Sequence, residues 1–324
     1  MPESLIKKIL LVLVILIGCT LISVLIIYSN WRIEFAAQLE SGSELAQTDK
    51  GVIEYASIGD KATEKNHLFI LHDTPGGYDS GRILSEWLEL DEQTHTIVPS
   101  RPGFLRTPIE VGATPREAAE AMIALMDKLG IEHTTVLGWG GGAATALEMA
   151  QRYPARIEGL VLLSPRAMFD DRYPAKSASL DSTPFDSTTV KVSTDFWGPD
   201  LSSFISNYLS SGDFPQGINN LALAEQRFEQ LNVTAQLPSS RAIGTENDQW
   251  QFARLAKDPQ YKITIPTLII HSPLDQTVSF EHAQYLSKTI KQAQLYRVEN
   301  ESHLSTMNAQ AVGRFHTFLE RLRK

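Results

Sequence analysis

The chain has one cysteine, Cys19, in 324 residues. A lone cysteine excludes an internal disulfide framework, and no Cys/His spacing of the structural-zinc kind occurs. Basic residues are the minority, 29 Lys and Arg against 38 Asp and Glu, for a formal net charge of −9. They form no run, so the electrostatic footprint of a DNA- or RNA-binding protein is missing and no nucleic-acid partner is expected. No internal repeat occurs. What remains is an ordinary globular composition, 43% hydrophobic and 21% charged, with length for one large domain and an insertion.

Charge is missing altogether from Ile9 to Tyr28. As a helix, this run spans about 30 Å, the hydrocarbon thickness of a bilayer. Lys7 and Lys8 precede it, while Glu34, Glu40 and Glu44 follow Arg32. The positive-inside rule then puts the N-terminus in the cytoplasm and the rest outside, as a single-pass membrane protein. A cleaved signal peptide is the bland alternative, although its apolar region is normally shorter, about 7–15 residues. Leu16-Ile17-Gly18-Cys19 also resembles a lipoprotein processing site, which leaves lipidation at Cys19 open. The expected organisation is an anchor over 1–30, a juxtamembrane linker over 31–50, a core over 51–163, a cap over 164–262 and the rest of the core over 263–324.

Within the core, strand-like and helix-like segments alternate. Val52–Ile58, His67–Leu71, Thr94–Pro99, Thr134–Leu137, Ile157–Leu163, Thr267–His271 and Gln294–Val298 read as strands. Arg116–Leu129, Ala143–Arg152, Phe280–Ile290 and Ala311–Leu322 carry helical spacing. This alternation predicts an α/β fold with a mostly parallel sheet and helices on both faces. The interval Ser164 to Lys262 is too long for a loop and reads as an inserted helical cap over the C-terminal sheet edge.

Five motifs, each following a predicted strand, carry a family resemblance. Leu71-His72-Asp73-Thr74-Pro75-Gly76-Gly77 resembles an H-G-x-P-G-G loop, and Ser100-Arg101-Pro102-Gly103-Phe104 an S-R-P-G-aromatic loop. Gly138-Trp139-Gly140-Gly141-Gly142 resembles the G-x-S-x-G nucleophile elbow. Leu274-Asp275 resembles the acid position, and Ser302-His303-Leu304 the late G-H-L histidine. In this order they resemble the α/β-hydrolase fold superfamily, from about Gly51 to the C-terminus. The resemblance implies serine-dependent hydrolysis of ester, amide or similar acyl bonds, without metal or organic cofactor. It implies that Asp275 orients His303, and that the N–H groups of Gly141 and Thr74 form the oxyanion hole.

Two positions depart from that pattern. Gly140 stands where the nucleophile serine belongs, and no serine occurs between Ser100 and Ser164. Asp73 replaces the glycine of the H-G loop. It either opposes negative charge building in the oxyanion hole or faces away as a solvated loop residue. Acyl hydrolysis is therefore expected to be absent or much reduced. The leading expectation is a binding protein that keeps a pocket for an apolar or acyl small molecule. The alternatives are a hydrolase using water activated by His303 or a relocated nucleophile, and a structural membrane partner. Asp275 and His303 then either serve chemistry or merely pin two loops together. Serine at position 140 is expected to restore some hydrolysis, with Asp73 limiting the rate. The same glycines fit G-x-G-x-x-A, but no acid follows the next strand, so a dinucleotide is not expected.

Overall fold

The computed structural model describes residues 2–60, 67–90, 93–169, 221–234, 237–304 and 306–323. Helix α1 (Glu3–Ser41) opens the chain. There follow β1 (Glu44–Thr48), β2 (Gly51–Ile58), β3 (His67–Leu71), α2 (Tyr78–Trp87) and β4 (His95–Pro99). Next come α3 (Pro115–Leu129), β5 (Thr134–Trp139), α4 (Gly142–Arg152) and β6 (Ile157–Leu163). Helices α5 (Leu221–Thr234) and α6 (Ala242–Phe252) lie between β6 and β7 (Thr267–His271). The chain closes with α7 (Phe280–Thr289), β8 (Ala293–Arg297) and α8 (Ala309–Leu322).

The strands form one eight-stranded sheet in the order β1-β2-β4-β3-β5-β6-β7-β8. β2 is antiparallel to both β1 and β4, and every other pairing is parallel. Alternation along each central strand sorts side chains to two faces. Phe69, Leu71, Val136, Leu160, Leu162 and Ile269 pack with α3, α4 and α7. Leu68, Ile70, Leu137, Val161, Leu163 and Ile270 pack with α2 and α8. Both faces are therefore dry, which is why these strands are nearly all apolar.

The expected α/β architecture is the one observed. The segment 31–50, expected as a linker, is instead regular structure: α1 continues to Ser41, and Glu44–Thr48 pairs with β2. The correction has a local cause. Tyr78 Oη donates to Leu39 O at 2.5 Å, and Arg106 Nη2 donates to Glu40 O at 3.1 Å, which fastens the helix end to the core. Of the expected cap, residues 170–220 lie outside the described residues. Helix α6 is fixed to the core by two buried ion pairs, Arg101–Asp248 and Arg241–Asp79, each at 2.6 Å. Helix α5 is fixed through Arg227, which donates to Leu304 O and Met307 O and lies over the Trp87 ring.

Candidate active site

The parallel strands β3, β5 and β7 point their C-terminal ends to one edge of the sheet. The loops leaving those ends and β8 bring Asp73, Gly140, Asp275 and His303 together. The β5–α4 turn is sharp. Gly140 has φ +49°, a left-handed conformation that costs a side-chain-bearing residue about 1–3 kcal/mol. A Cβ at Gly138 would strike Ala143 and Ala146, so glycine there lets β5 and α4 cross closely. This is the local geometry that the sequence pattern anticipates.

His303 lies between two carboxylates. Its Nδ1 is 2.7 Å from Asp275 Oδ2, and its Nε2 is 2.9 Å from Asp73 Oδ2. The Trp139 ring stacks on the imidazole with 6.0 Å between centroids. Asp275 is fixed from its other side by the N–H groups of Thr277 and Val278, which donate to Oδ1 at 2.8 and 2.9 Å. His271 Nε2 lies 3.2 Å from Asp275 Oδ2. Burial opposes charge on His303, but the charge and hydrogen bond of Asp275, and then those of Asp73, push its pKa up to about 10. Burial likewise works against the Asp275 carboxylate and is outweighed by His303 and His271, so Asp275 stays well below the usual carboxylate range. At neutral pH the arrangement is carboxylate–imidazolium–carboxylate.

Asp73 does not face away from the site, which overturns one of its two sequence readings. The Gly141 N–H donates to its Oδ1 at 2.7 Å, and the Thr74 N–H also hydrogen-bonds this carboxylate. Burial disfavours its charge, but the imidazolium of His303 and these two N–H groups more than compensate, and its pKa falls below the ordinary value. The expected oxyanion-hole donors, Gly141 and Thr74, are thus brought together, and they hold a carboxylate of the chain itself.

That carboxylate also fills the space beside Gly140. A Cβ built on Gly140 would have the Asp73 Cγ, Oδ1 and Oδ2 all within 2.6 Å. Serine at position 140 therefore needs the Asp73 side chain to leave the space it fills. Ser164 is fully buried, and both ring nitrogens of His303 are already engaged by Asp275 and Asp73.

The supporting residues are ones the sequence reading did not assign. Arg101 donates to both oxygens of Asp248 at 3.0 and 2.6 Å and to Thr74 Oγ1 at 3.0 Å. Thr74 Oγ1 in turn donates to Asp248. The S-R-P-G loop and α6 thereby fix the Thr74 side chain together. His72 Nε2 accepts from the Arg101 N–H at 3.0 Å, which leaves its Nδ1 to donate to Asp73 O. Burial and the neighbouring Arg101 guanidinium keep His72 well below its usual pKa, and so uncharged. Only the motif match at Arg101 hinted at this network, because Asp248 lies in a segment without a sequence signature. Among the described residues, no group of three or more His, Cys, Asp and Glu could hold a metal ion.

A family profile described as alpha/beta hydrolase fold matches residues 66–309. An uncharacterized hydrolase of Bacillus subtilis is 26% identical over 280 residues, which covers 81% of this chain and 92% of that protein. Lipase 1 of Psychrobacter immobilis is 26% identical over 271 residues, covering 82% and 78% respectively. Among solved structures, a thermophilic esterase from Thermogutta terrifontis superposes with a TM-score of 0.65 at 19% identity, over 87% of this chain and 99% of that one.

Proposed function

The chain belongs to the alpha/beta hydrolase fold family, and we propose that within it this protein has given up serine-dependent acyl transfer at residue 140. It is related to esterases and lipases. In this reading it keeps a small-molecule site between the sheet edge and the cap, and it is held at a membrane by α1. Residues 51–163 and 263–324 are the two halves of the core, and 164–262 is the cap. Gly140 stands at the nucleophile position, Asp275 and His303 at the acid and histidine positions, and Thr74 and Gly141 at the oxyanion hole.

One observation carries the reading: the Asp73 carboxylate occupies the volume of a residue-140 side chain while bound to the Gly141 N–H and His303 Nε2. Acyl transfer needs that hole for the substrate oxygen, and losing even one donor costs about 10²–10³ in turnover. Here both donors already hold a negative charge. Water activated by His303 alone is disfavoured too, since an imidazolium held by two carboxylates is not a base.

A fluorophosphonate tests the reading. The native protein and Gly140→Ser are expected to give no adduct, the second because the serine collides with Asp73. The double variant Gly140→Ser, Asp73→Gly is expected to label and to hydrolyse a short-chain p-nitrophenyl ester, and His303→Ala should abolish that turnover. A stoichiometric serine adduct on the native protein would refute the loss of acyl transfer. A folded double variant that neither labels nor turns over would show that Asp275 and His303 are not aligned with residue 140.

A further inference from the structure

We propose that the chain binds a first-row divalent transition-metal ion, Cu²⁺ most tightly, between His67 Nδ1 and His95 Nδ1, at the sheet edge opposite the candidate active site. The inference is independent of what residue 140 does. Strands β3 and β4 run parallel, and His67 and His95, the first residue of each, are register partners. Partners in the ladder share a face, so the two imidazoles meet. Their rings lie edge to face with 5.2 Å between centroids, and Nδ1 is 3.1 Å from Nδ1.

The same atom of each ring faces the other. Without metal, one Nδ1 must carry a proton and donate it to its partner. An ion takes the place of that shared proton. Two imidazole nitrogens, each about 2.0–2.1 Å from one ion, lie about 2.9–3.4 Å apart between a right angle and a tetrahedral one. The observed separation falls in that range, so binding asks the rings to tilt towards one point and leaves the strands where they are. The other nitrogen of His95 is already engaged, with Nε2 2.9 Å from Ser57 Oγ on β2. A ligating histidine typically gives its second N–H to such a partner, which fixes the ring and leaves the lone pair on the ligating nitrogen. His95 is buried and held, whereas His67 is only half-buried, which gives solvent a route to the pair.

The donor set selects the ion. Imidazole nitrogens suit Cu²⁺, Ni²⁺ and Zn²⁺, with Cu²⁺ bound tightest, and not the oxygen-seeking Ca²⁺ and Mg²⁺. His67 lines a cavity with Glu158 and Arg323. The Glu158 carboxylate acts on His67 through its charge and offsets part of the ion's, while Arg323 is held aside by its hydrogen bond to Thr94 Oγ1 at 3.0 Å. Two protein ligands leave the remaining positions to water, so this is an exchangeable site and not a closed four-ligand zinc. The ion would clamp together the two strands whose far ends, about 20 Å away, carry the Asp73 and Arg101 loops.

The test uses the full-length native protein, untagged and in detergent, with cupric chloride. One ion per chain is expected, with two equatorial imidazole nitrogens in its electron paramagnetic resonance spectrum. In NMR, substoichiometric Cu²⁺ should broaden the ring resonances of His67 and His95 before those of the other histidines. Ser57→Ala, which strips the support from His95 Nε2, should weaken binding about 10–100-fold. His67→Gln, shown to be folded by circular dichroism, should lose the ion, whereas His133→Gln, at an exposed histidine elsewhere, should keep it. The NMR measurement needs no variant and decides the question even if His67→Gln does not fold. No loading of the native protein, broadening that begins at other histidines, or a folded His67→Gln that binds as the native protein does would each overturn the proposal, and the pair would then be only a hydrogen-bonded pin between two strands.

Discussion

Asp73 and Gly140 are sterically interdependent, because the carboxylate needs a residue without a side chain beside it and the left-handed backbone favours glycine. The charges then set a pH signature. The folded pKa of His303 is raised from 6.5 to about 10, so its contribution to stability is complete below 6.5 and is lost as pH rises towards and through 10. Asp73 and Asp275 have folded values below 3.8, so their contributions hold above that value and are lost as pH falls through the folded ones. The groups facing the imidazole are Asp73 and Asp275, with Trp139 stacked on it and His271 reaching Asp275 from behind. Asp73→Asn removes one of the two charges that hold the proton. NMR titration should therefore show a lower His303 pKa in the variant, and the variant's melting temperature should fall less between pH 7 and pH 10 than that of the native protein. An unchanged His303 titration would contradict the pairing. His303 and Asp275 were legible in the sequence because each follows a strand end in the order of a known pattern. The placement of Asp73 was not legible. Its partners come from segments far apart in the chain, and filling the space of a missing side chain leaves no periodic trace.

At the scale of elements, the loops leaving β3 and β4 are held by α6 as much as by the sheet. Asp248 on α6 takes both guanidinium donors of Arg101 and the Thr74 hydroxyl, so the loop after β3 and helix α6 share one network. Breaking a buried pair by removing one partner costs about 3–5 kcal/mol, because the other charge stays behind unpaired. Asp248→Ala should lose stability on that scale in urea unfolding. Arg101→Met with Asp248→Leu should lose much less, since no orphan charge remains. If the single variant lay within about 0.5 kcal/mol of native, the pair would have no structural role. The central strands were readable because burial on both faces leaves unbroken apolar runs such as Gly159-Leu160-Val161-Leu162-Leu163. Strand β1 was not readable. Its sequence, ELAQT, buries only Ala46 and takes its register from β2 rather than from any alternation of its own.

At the scale of the whole molecule, α1 is tied to the same loops that frame the candidate site. Glu54, nearly fully buried, accepts from Ser43 at 2.7 Å, from Arg106 at 2.7 Å and from Ser100 at 2.8 Å. Ser100 Oγ in turn accepts from the N–H of Tyr78, whose hydroxyl donates to Leu39 O. The segment between the apolar run and the domain is thus a helix joined to the site loops, not a loose tether. Helix α1 is long and apolar enough to cross a membrane or to act as a signal sequence. At the end of the uncharged run Tyr28, which is buried, stacks on Trp31, and Trp31 stacks on Phe35. Helix rise puts Ser41 about 20 Å beyond Tyr28, so a retained anchor holds the site close to the headgroups. For a retained span, Lys7 and Lys8 on the N-terminal side give the expectation, by the positive-inside rule, that the domain lies outside the cytoplasm. Protease added to intact cells should therefore digest the domain while the membrane stays sealed. Digestion only after lysis would reverse the topology. Cys19→Ala separates the anchoring modes: an uncleaved span keeps the variant in the membrane fraction, whereas its release would show that retention depends on a lipid at Cys19. Release of the native domain as a soluble fragment shortened at its N-terminus would instead make the helix a signal peptide.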